Sequence, residues 1–527
     1  MRRIDHSAGA IVVLSLVLAL AVRVAIVAPS AFPLNDGGLF HAFITDLLDN
    51  HLGLPAFSSY NGASIPFAYP PLGFYVVALL SLALHLPLLQ LLQYVPAALS
   101  LASIPAFYFL AIELLPSRRQ AALATLIFSL LPRTFDWLIM GGGITRSLGL
   151  LLALLVIRQA FLLFVRRSAA AILPTIILAG LLVVSHPEAA MHTALTAALL
   201  YTWSDHSSLG LRRAALVAAG IVVVTAPWWA VVVARHGIEP FVAAAAAARA
   251  DSHSPLVGLL ALLRFDFTDE PFLRVFAVLG LLGLAVRLSR RQFFLPAWFV
   301  LLHTVEPRGG TLFMMMPLAM AAGSCLDDII LPALTLDGAS QPATRQTASV
   351  PAAAWLGQIL QGRGQALFLG FLVVYGCLAA YAVGANIQRE FTLNTHDQKA
   401  FEWVRVHTPL DARFALVTQA LPLRDASSDW FPALANRRSI ATVFGMEWVR
   451  SADFAARIEL NSTLQACAHK DTECLKSWAE EQEEPVDYVY LRDDGTDSRT
   501  ALGESLAISS DFELVYSDEG LAIYAWK

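Results

Sequence analysis

Twelve long apolar runs limit what this chain can fold into more than any other feature. Most of them approach the roughly 20 apolar residues that an α-helix needs to cross a bilayer. The composition agrees, because 57% of the 527 residues are hydrophobic and only 15% are charged. The pattern predicts a polytopic α-helical membrane protein with about 11–13 transmembrane helices. The runs are residues 8–28, 70–86, 88–115, 121–135, 144–165, 169–185, 189–203, 214–233, 272–286, 293–303, 312–331 and 366–385.

Arginine placement predicts how these helices are oriented. Arginines occur in alternate connections, as expected of cytoplasmic loops. The N-terminus is then cytoplasmic, its first helix is retained, and residues 29–69 lie outside. One inconsistency remains: runs 70–86 and 88–115 look like two crossings, whereas the loops on either side require an odd number. Either one run is re-entrant or interfacial, or the arginine rule fails at one loop. The arginines used are Arg118, Arg119, Arg166, Arg167, Arg212, Arg213, Arg287, Arg290, Arg291, Arg345 and Arg363.

The last quarter of the chain has a different character. It contains all four lysines and no long apolar run. We predict a transmembrane module over residues 1–387 and an extracytoplasmic α/β domain over residues 388–527. Cys467 and Cys474 are seven residues apart, and outside the cell they can form a disulfide, the alternative being two free thiols. The predicted elements are a helix over 397–407 and strands over 413–418, 486–491, 512–516 and 521–524, the last two forming a hairpin.

The first outer loop, residues 29–69, contains no Lys or Arg. Near its start stands Asn35-Asp36-Gly37-Gly38, and from Leu39 onward apolar residues recur at helical spacing. This spacing predicts an interfacial amphipathic helix with its apolar face toward the membrane. Asn35 or Asp36 stands at the N-cap position, and the two glycines allow a sharp turn. Asp36 is therefore a candidate helix cap, a candidate catalytic carboxylate, or both.

Further polar groups fall at the predicted outer ends of the helices. Any one of them can be explained as a snorkelling or ion-paired residue. Taken together, carboxylates and arginines on one face suit transfer of a group from a phosphate, with arginine holding the phosphate and a carboxylate accepting a proton. The set is Asp36, His41, Asp136, Arg146, His186, Glu188, Glu306 and Arg308.

Several function classes are disfavoured by what the sequence lacks. A net charge of -5 without a basic cluster argues against nucleic-acid binding. The sequence has no CxxC or HExxH zinc motif, no phosphate-binding loop and no GxSxG nucleophile motif. A nucleotide-driven pump and a serine hydrolase of the usual kind are therefore not indicated.

The chain resembles a known family, the C-type (GT-C) integral membrane glycosyltransferases. The resemblance is carried by an acidic residue opening the first outer loop, by the segment Phe67-Ala68-Tyr69-Pro70-Pro71-Leu72-Gly73-Phe74-Tyr75, and by Glu306-Pro307-Arg308 followed by Met316-Pro317-Leu318. That group includes protein mannosyltransferases, aminoarabinose transferases and the oligosaccharyltransferase catalytic subunit. The chain also resembles bacterial membrane proteins labelled as related to 6-pyruvoyl-tetrahydropterin synthase, although nothing here indicates pterin chemistry.

The resemblance implies a reaction and roles for residues. A monosaccharide would pass from a polyprenyl-phosphate donor to an acceptor (protein, lipid or glycan) on the outer face, with inversion. Asp36 would be the base, and Arg308, helped by Arg146, would bind the donor phosphate. No cofactor is required, and a divalent metal, if any, would use Asp36 and Asp136. The residues expected to orient substrate are His41, Tyr69, His186, Glu188 and Glu306.

The chain departs from the family in two places. Gly37 replaces the acidic residue that follows the first one in protein mannosyltransferases. The WWDxG string of oligosaccharyltransferases is missing, since Asp429-Trp430-Phe431 and Glu447-Trp448 do not reproduce it. A single-sugar transferase is therefore the better match, and transfer of an oligosaccharide to asparagine is disfavoured.

Two other function classes stay open. A transporter or flippase would suit buried charges and broken helices, and Pro87, Pro96 and Pro105 are positioned to interrupt the second and third runs. A scaffold would use the C-terminal domain to bind partners. The run Ala243–Ala248 predicts a second interfacial helix, which is either a mobile gate or an ordinary alanine-rich helix.

Overall fold

The chain folds into a bundle of apolar helices followed by a C-terminal α/β region. The structure is a computed structural model. It describes residues 6–250, 260, 262–305, 310–334, 363–449, 454–482, 485–492 and 500–527.

Each of the twelve predicted apolar runs coincides with one α-helix over most of its length, so the polytopic helical class is confirmed. In the predicted outer loops, the described residues include the helices α2 (Gly38–Asp49) and α10 (Glu239–Ala250). The twelve are α1 (His6–Val27), α3 (Leu72–Leu84), α4 (Leu88–Leu114), α5 (Arg118–Leu130), α6 (Gly143–Phe164), α7 (Ile172–Val183), α8 (Pro187–Ser204), α9 (Ser208–His236), α11 (Val275–Ser289), α12 (Phe294–Val305), α13 (Gly310–Cys325) and α14 (Gly364–Glu390).

Helix length separates these twelve into two groups. Among the described residues, six helices (α1, α4, α6, α9, α13 with its continuation to Ala333, and α14) are long and apolar enough to span a membrane. Helix α3 has 13 residues and is about 20 Å long, whereas the hydrocarbon core is about 30 Å thick. That one of the runs 70–86 and 88–115 does not cross the membrane stays a prediction.

Prolines do not break α4. Pro96 and Pro105 lie inside one continuous helix of 27 residues, and Pro87 is its N-cap. The expectation of an interruption is wrong for Pro96 and Pro105, whereas Pro87 does lie between the end of α3 at Leu84 and the start of α4 at Leu88. Neighbouring helices can hold a proline-containing helix together by packing, and this is common within membranes. The argument for a transporter from broken helices therefore loses its basis at Pro96 and Pro105.

The C-terminal α/β region, defined here as residues 395–527, contains a five-stranded sheet of order β2-β1-β3-β5-β4. Strands β2, β1 and β3 are parallel, and β5 and β4 form the predicted antiparallel hairpin. Cys467 and Cys474 are joined by a disulfide. The strands are β1 (Arg413–Val417), β2 (Arg438–Ser439), β3 (Tyr488–Arg492), β4 (Phe512–Asp518) and β5 (Leu521–Trp526), and the helices are α15 (Thr395–His407), α16 (Ala426–Ala435), α17 (Phe454–Ala466), α18 (Thr472–Glu480) and α19 (Ala501–Ile508).

Alternate residues of the strands face opposite layers. Ala415 and Val489 face a core formed with α17, α18 and α19. Phe414 and Tyr490 face α15 and α16, in a core that continues into the first loop through α2 and α3. The sheet is thus covered on both sides, and one of its two cores is shared with the membrane part.

Helix α2 is amphipathic as predicted, but its apolar face does not lie on the membrane. Phe43, Ile44 and Leu47 are fully buried, and Phe43 packs against the rings of Phe67 and Phe74. This prediction is wrong because helical periodicity shows that one face is apolar, and lipid and protein cover such a face equally well.

Candidate functional site

Asp36 lies where the first loop meets the start of α6. The carbonyl oxygen of Leu34 accepts from the Gly141 N–H at 2.8 Å, and that of Asp36 accepts from the Gly142 N–H at 2.9 Å. These two bonds hold residues 34–36 beside the Gly141-Gly142-Gly143 turn. Gly142 has no room for a side chain, because a Cβ there would lie 2.6 Å from Asp36 Oδ2.

The Asp36 carboxylate pairs with Arg146 in the first turn of α6. Arg146 Nη2 donates to Asp36 Oδ1 at 3.0 Å and to Oδ2 at 2.9 Å, and the Gly142 N–H donates to Oδ1 at 3.1 Å. Both side chains are partly accessible, 20% for Asp36 and 23% for Arg146. The arginine holds the carboxylate in one orientation while leaving it open to solvent or substrate.

Two of the three guanidinium nitrogens of Arg146 make hydrogen bonds. Its Nε donates to the carbonyl oxygen of Trp137 at 3.1 Å, and Nη2 is used by Asp36. Nη1 has no hydrogen-bond partner within the described part of the chain. The guanidinium lies 5.7 Å from the centroid of the Trp137 ring, which is within cation–π range.

A second arginine borders the same ring. The guanidinium of Arg424, from the C-terminal α/β region, also lies 5.7 Å from the Trp137 centroid. Arg424 is exposed, and its side chain has no ion-pair or hydrogen-bond partner among the described residues. Sequence reasoning missed it because no motif surrounds it and it is far from Asp36 in sequence. The guanidinium groups of Arg146 and Arg424 thus both border the Trp137 ring.

Asp429 of α16 caps helix α2 from the C-terminal α/β region. Its Oδ2 accepts from the N–H groups of Gly37 at 2.6 Å and Gly38 at 2.7 Å, and its Oδ1 accepts from that of Leu39 at 3.1 Å. Burial, and next the negative charge of Asp36, raise the pKa of Asp429 to about 7, against the effect of the three N–H donors.

The expectation that Asn35 or Asp36 caps α2 is therefore wrong. Gly37 holds the N-cap position, with φ at 143° and no side-chain cap of its own. Asp36 turns toward α6 instead. A carboxylate 392 residues away in sequence supplies the cap, and local spacing could not indicate this.

Tyr69 and Glu188 also face the start of α6. The Tyr69 hydroxyl is 3.1 Å from Thr145 Oγ1, next to Arg146 in sequence. Burial raises the pKa of Tyr69 to about 12, and the Thr145 hydrogen bond and the charge of Arg146 limit the rise. Glu188, in the first turn of α8, lies within electrostatic range of both Tyr69 and Arg146.

The two predicted site histidines, His41 and His186, lie within a helix and at a helix start, respectively. His186 is the N-cap of α8, where its Nδ1 accepts from the Ala189 N–H at 3.3 Å. His41 lies in α2 with its ring 6.1 Å from that of Trp430. Burial lowers the pKa of His41, which favours the neutral ring. The roles of His41 and His186 in orienting substrate stay predictions.

Asp136 belongs to a different cluster from Asp36. Burial, and next the charge of Asp269, raise the pKa of Asp136 to about 8. Arg133 pairs with Asp269 at 2.7 Å. Since Asp36 and Asp136 have different partners, the structure does not bring together the two residues named as metal ligands. Within the described ranges, no group of three or more His, Cys, Asp or Glu side chains could hold a metal ion.

Glu306 and Arg308 lie outside the described residues, which stop at Val305 and resume at Gly310. Their predicted roles stay predictions. The nearest described helix ends are those of α12 and α13, and Gly310 packs against Leu302 and the ring of His192.

Solved structures of other proteins are similar to this chain over nearly its whole length. The oligosaccharyltransferase of Archaeoglobus fulgidus, tethered with an acceptor peptide, matches 93% of this chain and 69% of its own at 13% identity and a TM-score of 0.58. ArnT of Cupriavidus metallidurans, bound to undecaprenyl phosphate, matches 98% of this chain and 97% of its own, at 14% identity and a TM-score of 0.54. The mycobacterial arabinofuranosyltransferase AftD matches 98% of this chain and 40% of its own, at 16% identity and a TM-score of 0.56. Neither a protein-family model nor a curated protein matches the sequence.

Proposed function

Because the chain has the C-type (GT-C) fold of integral membrane glycosyltransferases, we propose that it is itself a membrane glycosyltransferase. The donor is a polyprenyl-phosphate-linked monosaccharide, and the acceptor is a hydroxyl group at the outer face. One observation carries the proposal: a partly accessible carboxylate, Asp36, is oriented by Arg146 at a helix start. The polyprenyl phosphate named for one structural neighbour supports the choice of donor.

Asp36 acts as the general base in this proposal. The acceptor oxygen bonds to the anomeric carbon from the side opposite the phosphate, and the bond from that carbon to the phosphate oxygen breaks. The phosphate leaves with the electron pair, and Asp36 takes the proton of the acceptor hydroxyl. A single displacement of this kind inverts the anomeric configuration.

Arginines hold the donor phosphate. Nη1 of Arg146 and the guanidinium of Arg424 both border Trp137 and have no partner among the described residues, so both can donate to phosphate oxygens. Arg308 keeps its predicted place in this set. Developing charge on the leaving phosphate is stabilised by donors that are already in position.

The other residues near α6 orient the substrates. Tyr69 keeps its proton at neutral pH because its pKa is raised, so its hydroxyl can donate to a sugar or phosphate oxygen. Glu188 can accept from a sugar hydroxyl. His41, His186 and Glu306 keep their predicted roles in orienting substrate.

The test is transfer of radiolabelled sugar from polyprenyl-phosphate donors by the purified full-length protein. Asp36→Asn should reduce transfer at least 100-fold, roughly the contribution of general base catalysis, while expression and membrane insertion stay normal. Glu113→Gln is the matched control, because Glu113 pairs with Arg158 at 3.3 Å between two helices elsewhere in the bundle. Near-normal transfer by Asp36→Asn, or an equal loss in the control, would rule out Asp36 as the base.

A further inference from the structure

The backbone on both sides of Asp36 is bound by residues that come late in the chain. The Asn35 N–H donates to Thr392 Oγ1 at 3.2 Å, and the Asn35 carbonyl oxygen accepts from Trp430 Nε1 at 2.8 Å. On the other side, Gly37 and Gly38 donate to Asp429. Asp36 is thus the single residue between two points of attachment to the C-terminal part.

Asp429 is itself held firmly. It is 1% exposed, and the Tyr60 hydroxyl donates to its carbonyl oxygen at 2.8 Å. The fit against the first loop is close, because a Cβ on Gly37 would lie 2.7 Å from Trp430 Cζ2, and one on Gly38 would collide with the Asp429 carbonyl oxygen. Only glycine at both positions allows the α16 backbone to approach so near.

Without Asp429, the first three N–H groups at the start of α2 would have no side-chain acceptor. Uncapped N–H groups destabilise a helix start, and the loop leading into it gains freedom. The residue directly before this start is Asp36. Freedom gained there moves the carboxylate relative to Arg146, whose own position is set by α6 and by the Trp137 carbonyl oxygen.

We infer that Asp429 is a positioning residue of the transferase site, and that the C-terminal α/β region completes this site by holding the Asp36 loop against α6. The inference rests on the proposed function. It assigns the C-terminal region the task of holding the catalytic carboxylate in place. Asp429 touches neither donor nor acceptor, so it should affect the chemical step more than donor binding, which Arg146 and Arg424 provide.

The first test measures loop order and needs no activity. In amide hydrogen exchange on the full-length protein, Asp429→Ala should speed exchange over residues 37–41 about tenfold, with α6 unchanged. Asp471→Ala is the matched control, because Asp471 is also an aspartate that caps a helix start in the C-terminal region, accepting from the Cys474 N–H within α18. Unchanged exchange over residues 37–41 in Asp429→Ala would overturn the inference.

The second test measures transfer kinetics. Asp429→Ala should lower kcat about 10- to 100-fold, as expected for a misplaced catalytic group, with KM for the donor nearly unchanged. Asp429→Asn should recover part of the loss, since its amide oxygen can still accept from Gly37 and Gly38 while its amide nitrogen cannot accept from Leu39. Gly38→Ala, which pushes the loop away while keeping the carboxylate, should resemble Asp429→Ala.

The outcomes separate the two proposals. If the wild type transfers no sugar but Asp429→Ala loosens residues 37–41, the proposed function fails and the loop attachment stands. If the wild type is active and Asp429→Ala matches Asp471→Ala in kcat, or raises only KM, the inference fails and the proposed function stands. A loss in Asp429→Asn as large as in Asp429→Ala would also overturn it, because hydrogen-bond acceptance would then not be what matters.

Discussion

At the scale of single residues, the proposed mechanism gives Arg146 two tasks. One nitrogen, Nη2, donates to both oxygens of Asp36, and Nη1 is left for an anion. One guanidinium can therefore connect the base with the leaving phosphate and fix the distance between them. Lysine could not do this, because its single ammonium has no planar fork. Arg424 has a simpler position, since it faces solvent beside Trp137 and makes no contact with Asp36.

Arg424→Ala should raise KM for the polyprenyl-phosphate donor about 5- to 10-fold and change kcat little. An arginine that binds the phosphate equally before and during the reaction contributes binding energy without lowering the barrier from the bound state. Steady-state kinetics with varied donor would measure this. Lys470→Ala is the control, because it removes one exposed positive charge from the same region. A fall in kcat with unchanged KM would contradict the assigned role.

At the scale of elements, close contacts between helices depend on glycine residues. Helices α11 and α13 approach at Gly283, where a Cβ would collide with the carbonyl oxygen of Ala321. Small residues let membrane helices approach closely, and dispersion contacts then stabilise the pair. The positioning of α2 depends on the same kind of approach at Gly38. The bundle and the site thus use glycine for one physical reason.

Gly283→Ala should destabilise the protein by about 1–3 kcal/mol, the usual result of overpacking. Gly370→Ala, in α14, is the matched control because nothing lies within 4 Å of a Cβ there. That substitution should be neutral or slightly stabilising, since alanine favours helix over glycine. Thermal unfolding in detergent would compare the two variants. Equal melting temperatures would show that α11 and α13 do not pack as described.

At the scale of the whole molecule, the membrane part and the C-terminal α/β region share a core. Phe43 and Phe74 from the first part and Phe401, Phe431 and Tyr490 from the second belong to one buried cluster. The amino-acid composition changes at about residue 387, but the hydrophobic core continues across that boundary. We expect the C-terminal region to lie on the same side of the membrane as the first loop, because they are in contact.

That side is predicted to be the outer one. Leu410→Cys, at a position 77% exposed, should react with a membrane-impermeant maleimide in intact cells. Arg291→Cys, in an exposed turn between α11 and α12, should react only after lysis. Both variants would be made in a background lacking the free thiols of Cys325 and Cys377. The reverse pattern would contradict the predicted orientation.

The sequence by itself determined the helices, the strands of the C-terminal hairpin and the GT-C resemblance, and it singled out Asp36 as a candidate, because apolar periodicity and turn residues act over a few neighbours. Only the tertiary structure decided that α2 is buried against protein, that Asp429 caps it and that Arg424 borders Trp137. Those contacts join residues hundreds of positions apart, and they arise from packing between elements. A local pattern shows which groups need a partner, whereas the fold decides which partner they find.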